Sequence, residues 1–322
     1  MKLANLFFSD KLDVRWALCS QMGIRYAVAK LNPELTGKRP VWDFDTLADS
    51  KQIFADHGFD LIALEGDQFD MTRIKLGLLG REEDVEHYKR MLENMGRLGI
   101  TTLCYNFMQT GWFRTRSDIV ERGGALVTGF DIGEASVMPA KGYAPVSSSR
   151  IWENYEWFLA EVLPTAQSSG VRMGLHPDDP PVPSIEGVDR IFISPEAIDR
   201  ALSLSDNPSH CLTFCQGTFK TMGADIPAVF HRWANRVVFV HFRDVVGTAD
   251  HFHETFHDNG PTDMPAMLDM YRRDGFDGII RSDHVPTMAG EENDRPSYSM
   301  NGTLFGIGYI KGIMDALKID CE

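Results

Sequence analysis

The sequence predicts an α/β protein, a (β/α)8 TIM barrel with long βα loops at its catalytic face. Three observations carry that expectation. Eight short apolar runs alternate with eight longer amphipathic segments, a rhythm that pairs strands in parallel through right-handed crossovers. Eight such units in about 250 residues are the count of a closed barrel. No Gly-rich phosphate turn follows the first run, whereas a doubly wound open sheet, the structural alternative, more often carries one there. Residues 1–322 read as one barrel domain.

The elements follow in order. Strand 4–8 leads into helix 14–21, and strand 25–29 precedes helix 44–57, which Gly58 ends just before strand 61–64. Helix 82–98 is ended by Gly99 ahead of strand 101–105, and helix 151–168 by Gly170 ahead of strand 172–175. The stretch Val171 to Pro181 reads V-R-M-G-L-H-P-D-D-P-P. Pro177 lacks an N–H and disfavours helix in the residue before it, so the strand stops with His176 at its carboxyl end. Helix 195–203 has Ser194 as N-cap, Pro195 at the first position and Glu196 in the first turn. Strand 210–214, helix 224–233, strand 237–240 and helix 263–273 follow; Gly275 then precedes strand 278–280 and the last helix, 303–317. At each of these stops glycine supplies the left-handed residue that a helix end wants.

Composition narrows the function. Hydrophobic residues at 43% and charged residues at 24% suit a globular enzyme with a sizeable core. A net charge of -14 without any Lys/Arg-rich run disfavours nucleic acid and anionic membranes as partners. No stretch approaches a membrane span, and the apolar run 6–8 is too short for a signal peptide. The five cysteines, Cys19, Cys104, Cys211, Cys215 and Cys321, form no framework, which points to free thiols in a reducing cytoplasm.

The surplus length sits in loops. Residues 107–149, after the fourth strand, show no clear strand or long helix and are rich in Gly, Ser and Thr. A loop of that length is expected to be a lid or an assembly contact. Segments 247–260 and 285–301 are shorter cases on the same face.

Polar side chains close six of the eight strands: Glu65, Asn106, His176, Cys215, His241 and Asp283. Six at one face point to a functional site more than to satisfied core groups. His176, Cys215, His241 and Asp283 come from four consecutive strands. Imidazole, thiolate and carboxylate together suit Mn²⁺, Fe²⁺, Co²⁺ or Zn²⁺, and the thiolate argues against Ca²⁺ and Mg²⁺. The competing reading of Cys215 is a buried structural thiol, the expected fate of Cys211. His253-Glu254-Thr255-Phe256-His257 is a literal H-E-x-x-H. That zinc-peptidase motif needs a helix, and Asp258-Asn259-Gly260-Pro261 breaks the chain at once. His257 or Glu254 reaching over the site from this loop is the expectation instead.

Several motifs, in order along nearly the whole chain, resemble those of mannonate dehydratases. They are Ile74-Lys-Leu-Gly-Leu, Tyr105-Asn-Phe-Met, His176-Pro-Asp-Asp-Pro-Pro, Phe214-Cys-Gln-Gly, Val240-His-Phe-Arg, Phe252-His-Glu-Thr-Phe-His and Arg281-Ser-Asp-His-Val-Pro. The resemblance implies a TIM barrel with one divalent metal, Mn²⁺ foremost and Fe²⁺ or Co²⁺ next, held by His176, Cys215, His241 and Asp283. It implies a hydro-lyase of sugar-acid and hexuronate catabolism that turns D-mannonate into 2-keto-3-deoxy-D-gluconate and water, in a cytoplasmic homo-oligomer. It also implies that His284 and Tyr298 are catalytic. The chain departs from the family pattern at Asp244, Val285 and Gly111-Trp112-Phe113.

The chemistry makes definite demands. Removing the C2 proton beside a carboxylate creates an aci-carboxylate dianion that needs an electrophile. One side chain must take that proton and another must protonate the departing C3 hydroxyl. His284 and Tyr298 are expected to share these tasks, with Asn106, Arg243 and His257 on the substrate and Arg243 paired to its carboxylate. Two alternatives stay open: a metal-dependent sugar isomerase or epimerase of the xylose-isomerase-like barrel class, and a non-catalytic sugar-acid sensor.

Overall fold

Eight parallel strands close into a barrel: β1 (Lys2–Phe7), β2 (Tyr26–Ala29), β3 (Asp60–Glu65), β4 (Thr102–Tyr105), β5 (Arg172–Leu175), β6 (His210–Cys215), β7 (Val237–Phe242) and β8 (Ile279–Ser282). Each strand pairs with its neighbours in sequence, and β8 closes on β1. The coordinates are a computed structural model that describes residues 1–33, 37–138, 142 and 144–320. Cys321 lies outside them, as do residues 139–141 and 143 of the expected lid.

All eight expected strands are present within one or two residues. They were readable because a parallel strand under helices is buried on both faces and reads as an apolar run; every residue of β6 and β7 is buried. The eight expected helices also form, from Val14–Gln21 to Met300–Leu317. Ser194 caps Pro195–Ser203 by accepting from Ala197 N at 3.2 Å. Gly58, Gly99, Gly170 and Gly275 all have the positive φ that a helix stop requires, 68° to 82°.

Alternation sorts the barrel residues into two layers. Leu212 and Phe214, Val240 and Phe242, and Ile280 point out to the helices and join the main core. Ala4, Val28, Ala63, Cys211, Phe239 and Ile279 fill the interior instead, so Cys211 is a core thiol as expected. Register then sets the site: Cys215 lies opposite His241, His241 opposite Arg281, and Glu65 opposite Cys104.

The loop 107–149 corrects one expectation, because it does contain strands. Arg116–Val120 and Leu126–Asp131 join Val245–Thr248 and His251–Glu254 in a four-stranded antiparallel sheet. The link is Leu126–Asp131 against His251–Glu254, two segments far apart in sequence. Arg116–Val120 has no buried face, so no hydrophobic alternation marks it. No helix among the described residues is long and apolar enough to cross a membrane.

Candidate active site

At the carboxyl ends of the strands the barrel opens into a cavity of about 290 Å³, the size of a small-molecule site. Glu65, Asn106, His176, His241 and Asp283 line it, together with His284 and Tyr298. Cys215 is fully buried just behind them.

One atom each of His176, Cys215 and His241 lies within 4.8 Å of the other two, a spacing that could hold a metal ion. The donor chemistry fits a thiophilic divalent ion. His176 Nδ1 donates to Pro177 O at 2.6 Å, which leaves Nε2 carrying the lone pair. Burial alone would push the Cys215 thiol up, but Arg243, His176 and His241 outweigh it and hold the thiol well below its ordinary range. Neither ring nitrogen of His241 has a hydrogen-bond partner, although both are buried, whereas Asp283 Oδ1 is paired with Arg281 Nη1 at 2.9 Å. Buried polar atoms without hydrogen bonds are expensive unless something else satisfies them, as a cation would. Asp283 is not a member of the three-residue group; its Oδ2 lies 3.6 Å from His241 Nδ1.

A second group, Glu65, Cys104 and His241, shares the same imidazole. Here the carboxylate is already committed, since Arg281 donates to Glu65 through Nε at 3.0 Å and Nη2 at 2.5 Å. Burial would raise Glu65, yet Arg281 and His241 bring it down to about 2. We read this group as the support behind His241, whose Nε2 lies 3.5 Å from Glu65 Oε1. Burial and Arg281 oppose a positive charge on His241, but Glu65 and Asp283 prevail and hold its conjugate acid well above the usual histidine range.

His284 and Tyr298 stand together on the cavity wall, ring centroids 5.6 Å apart and planes at 90°. Trp112 covers both, 5.0 Å from His284 and 6.2 Å from Tyr298. Burial, Asp283 and Glu65 hold the Tyr298 hydroxyl well above its ordinary value, against the opposing pull of Arg281. Asn106 is oriented from behind: its Oδ1 accepts from the buried Lys75 Nζ at 2.9 Å, which leaves the amide donor for the cavity.

Two residues expected on the substrate are not brought to the cavity wall. Arg243 is 1% exposed and does not line the cavity. Its Nη atoms go to Glu254 at 2.7 Å, Asp179 at 2.7 Å and Thr218 Oγ1 at 3.0 Å, and its Nε lies 3.1 Å from Asp283 Oδ2, so it is an internal counter-charge to three carboxylates. Gly217 makes room for it, since a Cβ there would come within 2.6 Å of Arg243 Nη1. His257 is buried away from the cavity, with a ring carbon 3.1 Å from where a Cβ on Gly306 would sit, and burial lowers it to about 4. Of the two residues expected to reach over from this loop, neither lines the cavity; Glu254 touches its wall from behind, accepting from His284 Nδ1 at 2.8 Å. The H-E-x-x-H is no helix: His251–Glu254 is a strand. Sequence reasoning missed Arg114, Asp179, Lys75 and Trp112. Asp179 and Lys75 fall inside motifs already quoted, whereas nothing local distinguishes Arg114.

Comparison with known proteins agrees with this geometry. The family model described as D-mannonate dehydratase (UxuA) matches residues 1–142 and 137–321. The mannonate dehydratase of Shouchella clausii is 31% identical over 93% of this chain and 92% of its own length. Mannonate dehydratase 1 of Bacillus licheniformis is 32% identical over 86% and 85%. The crystal structure of mannonate dehydratase from Streptococcus suis serotype 2 superposes with a TM-score of 0.89 at 26% identity, covering 100% of this chain and 97% of that one. A xylose isomerase domain protein from Planctomyces limnophilus, 12% identical with a TM-score of 0.64 over 98% and 97%, shares the fold alone. With the family model spanning nearly its whole length, the chain belongs to the D-mannonate dehydratase family.

Proposed function

We propose that this protein dehydrates D-mannonate to 2-keto-3-deoxy-D-gluconate and water. One observation carries the reading: a thiolate-containing donor group and the His284–Tyr298 pair face the same small cavity. His176, Cys215, His241 and Asp283 would hold one divalent ion, Mn²⁺ foremost and Fe²⁺ or Co²⁺ next. When bound, the ion supplies Lewis acidity to the substrate carboxylate.

The chain's own residues then divide the proton work. His284 donates from Nδ1 to Glu254, so its Nε2 is the basic atom and takes the C2 proton. The C–H electron pair passes into the carboxylate as an aci-carboxylate and returns to form C2=C3 as the C3–O bond breaks. Tyr298, kept protonated by burial and nearby carboxylates, gives its proton to the departing hydroxide, which leaves as water. The enol product ketonises by taking a solvent proton at C3, and the proton on His284 returns to the tyrosinate through solvent. Asn106 offers an amide donor to a substrate hydroxyl.

His284→Asn and Tyr298→Phe should each lower the rate by about 10²–10⁴-fold with metal content and melting temperature unchanged. Near-native rates in both would overturn the assignment.

The proposal extends to a cytoplasmic homo-oligomer in which residues 107–149 act as lid or assembly contact. Trp112 over His284 supports the lid. Metal plus D-mannonate should protect this segment from limited proteolysis, and equal cleavage with and without them would count against a lid.

A further inference from the structure

The H-E-x-x-H segment lacks the helix its zinc motif needs, which leaves its buried carboxylate to be explained. His253 is half-exposed, with its Nε2 4.0 Å from Glu121, and His257 is buried behind the barrel wall. Glu254 alone reaches the cavity residues. It is 1% exposed and accepts from His284 Nδ1 at 2.8 Å. Two arginines fix it there: Arg243 Nη1 donates at 2.9 and 2.7 Å, and Arg114 Nη2 at 2.7 Å. The same two arginines also grip Asp179, Arg243 at 2.7 Å and Arg114 at 2.7 and 3.0 Å. Two cations and two carboxylates thus form a charge-balanced frame that meets the cavity wall at Asp179, at Asp283 through Arg243 Nε at 3.1 Å, and at His284 through Glu254.

We propose that Glu254 is a positioning residue for His284. An ionised carboxylate 2.8 Å from Nδ1 requires the proton on that nitrogen. The ring is then held in one plane with Nδ1 as the donor, and Nε2 is the nitrogen left for proton transfer. Arg114 Nη2 also lies 3.5 Å from Nδ1, too far to compete. His284 needs such support, because its backbone sits at φ 39°, a left-handed conformation that a non-glycine residue adopts at a cost. The adjacent Val285 N to Ser297 O bond at 2.8 Å anchors the backbone, and Glu254 anchors the ring.

The inference rests on reading His284 as the proton acceptor, so the test separates the two. Steady-state kinetics on D-mannonate, metal stoichiometry and melting temperature are measured for Glu254→Asp, Glu254→Gln, His284→Asn and the double variant His284→Asn/Glu254→Asp. Glu254→Asp keeps a charge beside both arginines but withdraws it from Nδ1, so it tests positioning even if Glu254→Gln fails to fold. The expected result is a kcat lowered roughly 10–100-fold. KM should stay within about twofold, the split of an interaction needed mainly in the transition state. Metal content and melting temperature of Glu254→Asp should hold, and the double variant should be no slower than His284→Asn. Wild-type kcat in Glu254→Asp would overturn the proposal. So would a loss seen only in KM or metal content, or a double variant well below His284→Asn. A near-native His284→Asn would instead overturn the underlying role of His284.

Discussion

Phe214 and Cys215 are neighbours on β6 that face opposite ways, and the two sides of the barrel wall they serve are built on different physics. Outward, Phe214 packs its ring 4.7 Å from Phe219 and 5.0 Å from Phe230. A neutral hydrogen-bonded chain runs through that side, Tyr105 OH to Tyr155 OH at 3.0 Å and Tyr155 OH to His210 Nε2 at 3.2 Å. Inward, Cys215 joins a zone of buried charge that includes Glu65, Arg281, Asp283, Arg243, Glu254, Asp179 and Arg114. Buried ion pairs recover little more than their desolvation cost, whereas burying an aromatic ring is a large net gain. Stability therefore comes mainly from the outer layer, and the inner charges are placed for chemistry.

Adjacent substitutions should separate the two layers. Phe214→Ala should cost about 3–5 kcal/mol of stability while the folded fraction binds metal normally. Cys215→Ser should do the reverse, weakening a thiophilic divalent ion by more than the 10–100-fold that losing an outer-shell partner costs, with little change in melting temperature. Calorimetry and metal analysis on both proteins decide it. Undiminished metal in Cys215→Ser would remove the thiol from the ligand set.

The two layers were unequally legible in sequence. The outer one was plain, because burial on both faces writes each strand as an apolar run and glycine marks the helix stops. Strand ends then pointed to His176, Cys215, His241 and Asp283 without any geometry. What stayed hidden depends on contacts between distant segments. Leu126–Asp131 finds its partner in His251–Glu254, and neither has a pattern that announces a strand. Arg243 follows His241 by two positions, a spacing that suggests a substrate contact, yet Glu254, Asp179 and Asp283 claim it. A list of residues does not reveal which charge neutralises which.

The smallest expected effect concerns the neutral histidine of the outer layer. Burial pushes His210 down to about 4, while an unfolded chain titrates near 6.5. Since the folded value is the lower one, the unfolded state takes up the proton first. This contribution is complete above pH ~6.5 and is lost as pH falls toward ~4, on the order of 1–3 kcal/mol. Buried His257, also near 4, acts in the same sense. Urea melts of wild type and His210→Gln from pH 7 to 4.5 should show a shallower acid loss in the variant, and identical slopes would place the effect elsewhere.

Turnover of D-mannonate in D2O tests the central claim most directly, with the product read by mass spectrometry and NMR. A dehydratase must remove the C2 proton, expel the C3 hydroxyl and let the enol ketonise, so the product should lack the elements of water and carry one deuterium at C3. A sugar acid of unchanged composition with deuterium at C2 would show an epimerase using the same cavity, and would contradict the account.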